Sequence, residues 1–180
     1  MAELSKDRES HVLNLTRDDN QPIQMNAGDV VRVRQTAYID GPNGKSRVDD
    51  AITGSNLYND LATSVAAAVA KEVNSFISLT QPGGDPVWFD GAKATGPTFV
   101  SKAQQTPDWS GKINSALVIG KNVQFVRNTP KEVYDAINGQ HGHAIPPRRD
   151  EFAVDVLKDL ETDGTKIGVW DEGLYLKPGV

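Results

Sequence analysis

The clearest alternation of apolar and polar residues lies in the segment Val30–Ile39. Every second residue of an extended chain falls on the same side. One side of this segment would carry Val31, Val33, Gln35, Ala37 and Ile39. The other side would carry Arg32, Arg34, Thr36 and Tyr38. We therefore predict a half-buried strand whose arginines face water.

A helical pattern follows from Ser55 to Ile77. Apolar residues recur there at steps of three to four positions: Leu57, Leu61, Val65, Val69, Val73 and Phe76. Ser55 can cap the first turn, and alanines fill the apolar side. The pattern predicts one long amphipathic helix that lies across a sheet and supplies much of the core.

Turn residues separate several shorter apolar runs, which predicts further strands. Gly120-Lys121-Asn122 lies between Ser115–Ile119 and Val123–Arg127, a spacing typical of a β-hairpin. Other strands are predicted at Val87–Phe89, Thr98–Val100, Lys166–Trp170 and Leu174–Leu176. Shorter helices are predicted from Thr129 and from Asp150 to about Thr162. The predicted fold class is α+β: an antiparallel or mixed β-sheet packed by one long amphipathic helix and two shorter helices.

Length and composition indicate one globular domain. The chain has 180 residues, of which 38% are hydrophobic and 24% are charged. Residues 1–20 are polar apart from a short run around Val12–Leu15, so we expect a flexible N-terminal arm and a single domain over residues 21–180. No segment approaches the roughly 20 apolar residues of a membrane helix, and the N-terminus lacks the apolar run of a signal peptide.

Charge and residue types narrow the chemistry. The net charge of -5 argues against a general nucleic-acid binder. The chain has no cysteine, which excludes disulfides and thiolate metal sites. It has no Gly-x-Ser-x-Gly motif, and none of its serines lies in a context that predicts activation by a base. We therefore expect no catalytic residues, no cofactor and no enzyme activity.

The segment Thr129–Phe152 combines the strongest local signals of the chain. Thr129 and Glu132 have the spacing of a capping box, and Pro130 lies at the first helical position. Gly139 is expected to end this short helix, which carries Tyr134. The chain then contains His141, Gly142, His143, Pro146-Pro147, Arg148 and Arg149.

This segment admits two interpretations. In the first, His141 and His143 share a metal ion, which would favour a small metal-dependent hydrolase. Because the third histidine, His11, lies in the expected N-terminal arm, Asp135, Asp150 or Glu151 would have to complete the site. In the second, the rigid Pro-Pro step presents Arg148 and Arg149 to acidic groups of a partner subunit. The second interpretation is our prediction. The predicted subunit-interface residues are Arg148, Arg149, Trp88, Trp109 and Tyr134.

The order of these features resembles the virion-morphogenesis proteins of tailed phages, the tail-completion or tail-terminator class. The resemblance covers residues 55 to 160 and is sharpest at Ile145-Pro146-Pro147-Arg148 and Phe152. The family commonly has Arg-Pro-Phe where this chain has Arg148-Arg149-Asp150-Glu151-Phe152, which leaves the position in the virion open.

The resemblance implies a non-enzymatic virion protein that forms a homo-oligomeric ring, usually a hexamer, at the head–tail neck or tail terminus. Its partners would be other copies of itself and neighbouring phage neck or tail-tube proteins, with DNA passing through the ring without specific binding. The acidic net charge fits such a channel, whereas Arg32 and Arg34 would oppose it if they lined the lumen. An alternative role is a capsid decoration or minor tail protein anchored by its N-terminal arm.

Overall fold

Strands dominate the part of the chain that the structure, a computed structural model, describes: residues 11–36, 45–98, 100 and 112–147. The strands there are β1 Val12–Thr16, β2 Pro22–Asn26, β3 Val30–Gln35, β4 Ser46–Asp50, β5 Gly54–Tyr58, β6 Phe76–Thr80, β7 Pro86–Asp90, β8 Ala94–Thr98, β9 Ser115–Ile119, β10 Asn122–Val126 and β11 His143–Ala144. The helices there are α1 Ala62–Glu72 and α2 Pro130–Gly139.

Hydrogen bonding groups these strands into three sheets. A 5-stranded antiparallel sheet has the order β5-β4-β3-β7-β6. A 4-stranded sheet has the order β10-β9-β8-β11, in which the short β11 runs parallel to β8. The third sheet is the β1-β2 hairpin. The α+β class predicted from the sequence is thus confirmed in outline, although the fold is mostly β and one long helix with two shorter ones is not observed.

The long helix predicted from Ser55 to Ile77 is wrong in its extent. The helix covers only Ala62–Glu72, and the two ends of the predicted segment are the edge strands β5 and β6. Strand pairing replaces the helix at both ends because β5 bonds to β4 and β6 bonds to β7. Asn59 and Asp60 then break the chain between β5 and α1, and both bond to the backbone of Thr16. Tertiary pairing here overrides a local helical period.

The two faces of the 5-stranded sheet are covered by different elements. Helix α1 and the β1-β2 hairpin pack on one face, where Val33 lies beside Val48 and Trp88. The 4-stranded sheet packs on the opposite face, where the apolar residues form a second core that includes Phe89 and Leu117. Helix α2 adds its buried residues to this second core.

The predicted hairpin and the predicted helix start are both confirmed. Strands β9 and β10 pair in register around a tight turn in which Gly120 has a φ of 61°, a conformation that favours glycine. At the start of α2, the Thr129 hydroxyl accepts a hydrogen bond from the Glu132 amide at 3.3 Å. The Glu132 carboxylate accepts one from the Thr129 amide, also at 3.3 Å, which completes the capping box.

Other predicted elements fall near or outside the described residues. The ordered run expected around Val12–Leu15 is strand β1, and its Leu13 and Leu15 are buried in the core. The strand predicted at Val87–Phe89 lies within β7, whereas β8 ends at Thr98, where the next strand was predicted to begin. The helix predicted at 150–162 and the strands predicted at 166–170 and 174–176 lie outside the described residues.

Candidate assembly surfaces

Arg32 and Arg34 are buried, so the prediction that they face water is wrong. Their exposed fractions are 1% and 0%. They lie on the face of β3 that the 4-stranded sheet covers. Arg32 Nε donates to Asp49 Oδ2 at 2.5 Å, and Arg32 Nη1 donates to Gln124 Oε1 at 2.9 Å. Gln124 belongs to β10, so this bond joins the two sheets.

The buried Asp49 carboxylate is the centre of this charged cluster. Burial raises the pKa of Asp49. The Arg32 and Arg34 guanidinium groups and the hydrogen bonds from Ser55 and Arg32 lower it by more than burial raises it, so the pKa lies below its ordinary value. Arg34 Nη2 lies 3.8 Å from Asp49 Oδ2. Asp49 is therefore ionised at neutral pH. Because the cluster is enclosed between the sheets, we assign it a structural role.

Trp88, a predicted interface residue, lines a hollow at one end of the 5-stranded sheet. This hollow has a volume of about 290 Å³, and we call it the Trp88 hollow. It is lined by Gln35, Thr36, Lys45, Leu61, Ala62, Thr63, Pro86 and Trp88. Leu61 occupies the N-cap position of α1 without a side-chain capping bond, and it is 56% exposed. The hollow therefore offers an apolar surface to solvent.

A second apolar feature lies at the opposite end of the same sheet. The turn between β4 and β5, residues 51–53, carries Ile52, which is 76% exposed; we call it the Ile52 turn. The Asp50 carboxylate holds this turn by accepting hydrogen bonds from the Ile52 amide at 2.9 Å and the Thr53 amide at 2.7 Å. A groove of about 640 Å³ separates it from the β9–β10 turn, and Lys93 and Lys121 line that groove.

The other predicted interface residues are not brought together with Trp88. Tyr134 is half-buried on α2, which packs on the side of the 4-stranded sheet, whereas Trp88 packs on the α1 side. Arg148, Arg149 and Trp109 lie outside the described residues. The structure therefore places two of the five predicted residues on different sides of the 5-stranded sheet.

The two histidines of the metal hypothesis are exposed. His141 has a φ of 59° just after α2, and His143 lies opposite Thr95 in the β11–β8 pair. His11 is elsewhere, with its Nδ1 2.5 Å from a carboxylate oxygen of Glu72. Within the described ranges, no three His, Cys, Asp or Glu residues form a group that could hold a metal ion. Asp150 and Glu151 lie outside those ranges.

Gly142, which lies between the two histidines, permits a close approach of two backbone segments. A Cβ atom at this position would lie 2.1 Å from the carbonyl oxygen of Gly91 and 2.7 Å from a side-chain carbon of Ile137. Only a glycine therefore permits the chain to pass so close to the turn before β8. The glycine identified in the sequence fixes the path of the chain rather than the geometry of a metal site.

The sequence prediction missed Ile52 and gave Leu61 a core position in a longer helix. The residues around Ile52, Asp50-Ala51 and Thr53-Gly54, are typical of a turn. A large β-branched residue in the middle of a turn is the signal that could have identified it, because such residues favour strands.

None of the helices among the described residues is long and apolar enough to cross a membrane. Comparison with known proteins found no family model, no curated protein and no solved structure that matches this chain.

Proposed function

We propose that this chain is a non-enzymatic structural protein of a tailed-phage virion, which forms a homo-oligomeric ring at the head–tail neck or tail terminus. The resemblance at Ile145-Pro146-Pro147-Arg148 supports the family, whereas the long helix over Ser55–Ile77, with which the resemblance begins, is not observed. The observation that carries self-assembly is the pair of exposed apolar sites at opposite ends of one sheet, Leu61 in the Trp88 hollow and Ile52 on its turn. A ring subunit needs two different contact surfaces, one for each neighbour.

The burial of Arg32 and Arg34 removes an objection to a DNA channel. Because both side chains are enclosed between the sheets, they do not present positive charge to a lumen. The chain keeps a net charge of -5, and an acidic wall repels phosphates, which suits DNA that passes without specific binding. In this proposal the protein is located in the virion, and its partners are other copies of itself and neighbouring neck or tail-tube proteins.

Part of the proposed contact surface follows the last described residue. We propose that Arg148 and Arg149 contact the neighbouring subunit, and that Trp109 and Tyr134 contribute to the same assembly. Arginine suits this role because its planar guanidinium group binds a carboxylate at two points.

The test is the size and shape of the purified full-length protein. Light scattering after size-exclusion chromatography should give a multiple of the 19.5 kDa subunit mass, and negative-stain images should show a ring with countable subunits. Arg148→Glu should weaken the ring without changing the circular dichroism spectrum. The matched control is Arg17→Glu, a charge reversal at a side chain that is 46% exposed. A wild-type protein that stays monomeric at every concentration would contradict the proposal.

The alternative role is that of a decoration or minor tail protein anchored by the N-terminal arm. Because Leu13 and Leu15 are buried in the core, the deletion that tests this role stops before β1 and removes residues 1–10 only. If particle binding is lost in that deletion while the oligomer stays intact, the decoration role is favoured. Unchanged particle binding would favour the ring itself as the anchor.

A further inference from the structure

We draw no further inference here: the strongest candidate, the Trp88 hollow at the N-terminal end of α1, is a largely apolar surface beside one exposed lysine, Lys45, and nothing in the described part of the chain shows what covers it.

Discussion

The two faces of the 5-stranded sheet are buried by opposite means. Adjacent residues of β4 show the contrast, since Val48 faces α1 in an apolar core while Asp49 faces the 4-stranded sheet among arginines. Both residues are nearly inaccessible to solvent. The apolar face is stabilised by removal of surface from water, whereas the charged half of the other face depends on each ion keeping its partner. A buried position therefore does not imply an apolar residue.

The largest expected effect is the loss of the Asp49 carboxylate. Asp49→Ala leaves Arg32 without its ion-pair partner in a buried site, so the free energy of unfolding should fall by about 3–5 kcal/mol in urea denaturation. Asp135→Ala is the control, because Asp135 pairs with Lys131 on the surface at 2.8 Å and its loss should be much smaller. Equal losses in the two variants would show that burial adds nothing to the ion pair.

The next effect is a cavity on the apolar face. Val48→Ala removes buried methyl groups between the sheet and α1, and the free energy of unfolding should fall by roughly 2 kcal/mol. The measurement is the same urea denaturation, under the same conditions as for Asp49→Ala. If Val48→Ala lowers the free energy of unfolding by more than Asp49→Ala does, then packing on the apolar face contributes more to stability than the buried ion pair.

The contribution of the charged face to stability should also depend on pH, whereas that of the apolar face should not. The pKa of Asp49 is lowered in the folded protein, so its contribution to stability is complete above the unfolded value of about 3.9 and is lost as the pH falls through the folded value. The stability difference between wild type and Asp49→Asn should therefore shrink as the pH is lowered below about 4. Val48→Ala has no titrating group at this site, so its difference from wild type should stay constant over the same range.

The smallest expected effect is an increase in stability at the start of α1. Leu61 occupies the N-cap position of α1 with an extended backbone and no side-chain cap. Leu61→Asp should therefore stabilise the monomer by about 0.5–1 kcal/mol, since an aspartate there can accept a hydrogen bond from the free amides of the first turn. The same substitution should weaken assembly. A decrease in both quantities would mean that Leu61 stabilises the domain itself.

Local signals were sufficient where the structure depends on neighbours in the sequence. The capping box of Thr129 and Glu132 and the hairpin around Gly120 were predicted correctly because each involves residues only a few positions apart. The strand from Val30 was also predicted, but the prediction that its Arg32 and Arg34 side faces water was wrong. Of the predicted site, Trp88 lies at a partly exposed hollow, and the metal interpretation of His141 and His143 gains no third ligand among the residues described.

The burial of Arg32 could not be predicted from neighbouring residues, because the strand that covers it, β10, lies far away in the sequence. Gln124, which bonds to it, is 92 residues further on. One signal was nevertheless available: β3 carries Arg32 and the following strand β4 carries Asp49, which lies opposite it, although Arg47 of β4 has the same sign as Arg34 opposite it. Such residues pair across adjacent strands, and that pairing permits both faces of a sheet to be covered.

The distance between Arg32 and Gln124 has a consequence for the growing polypeptide. Synthesis proceeds from the N-terminus, so β3 and β4 leave the ribosome long before β10 exists to cover them. During that interval the uncovered face of this strand pair carries charged side chains, which disfavour association of the incomplete sheet with other nascent chains. The apolar strands β6 and β7 emerge later, closer in time to β9 and β10. We therefore expect Asp49→Leu and Arg32→Met together to lower the soluble yield in cells even where the finished protein remains stable.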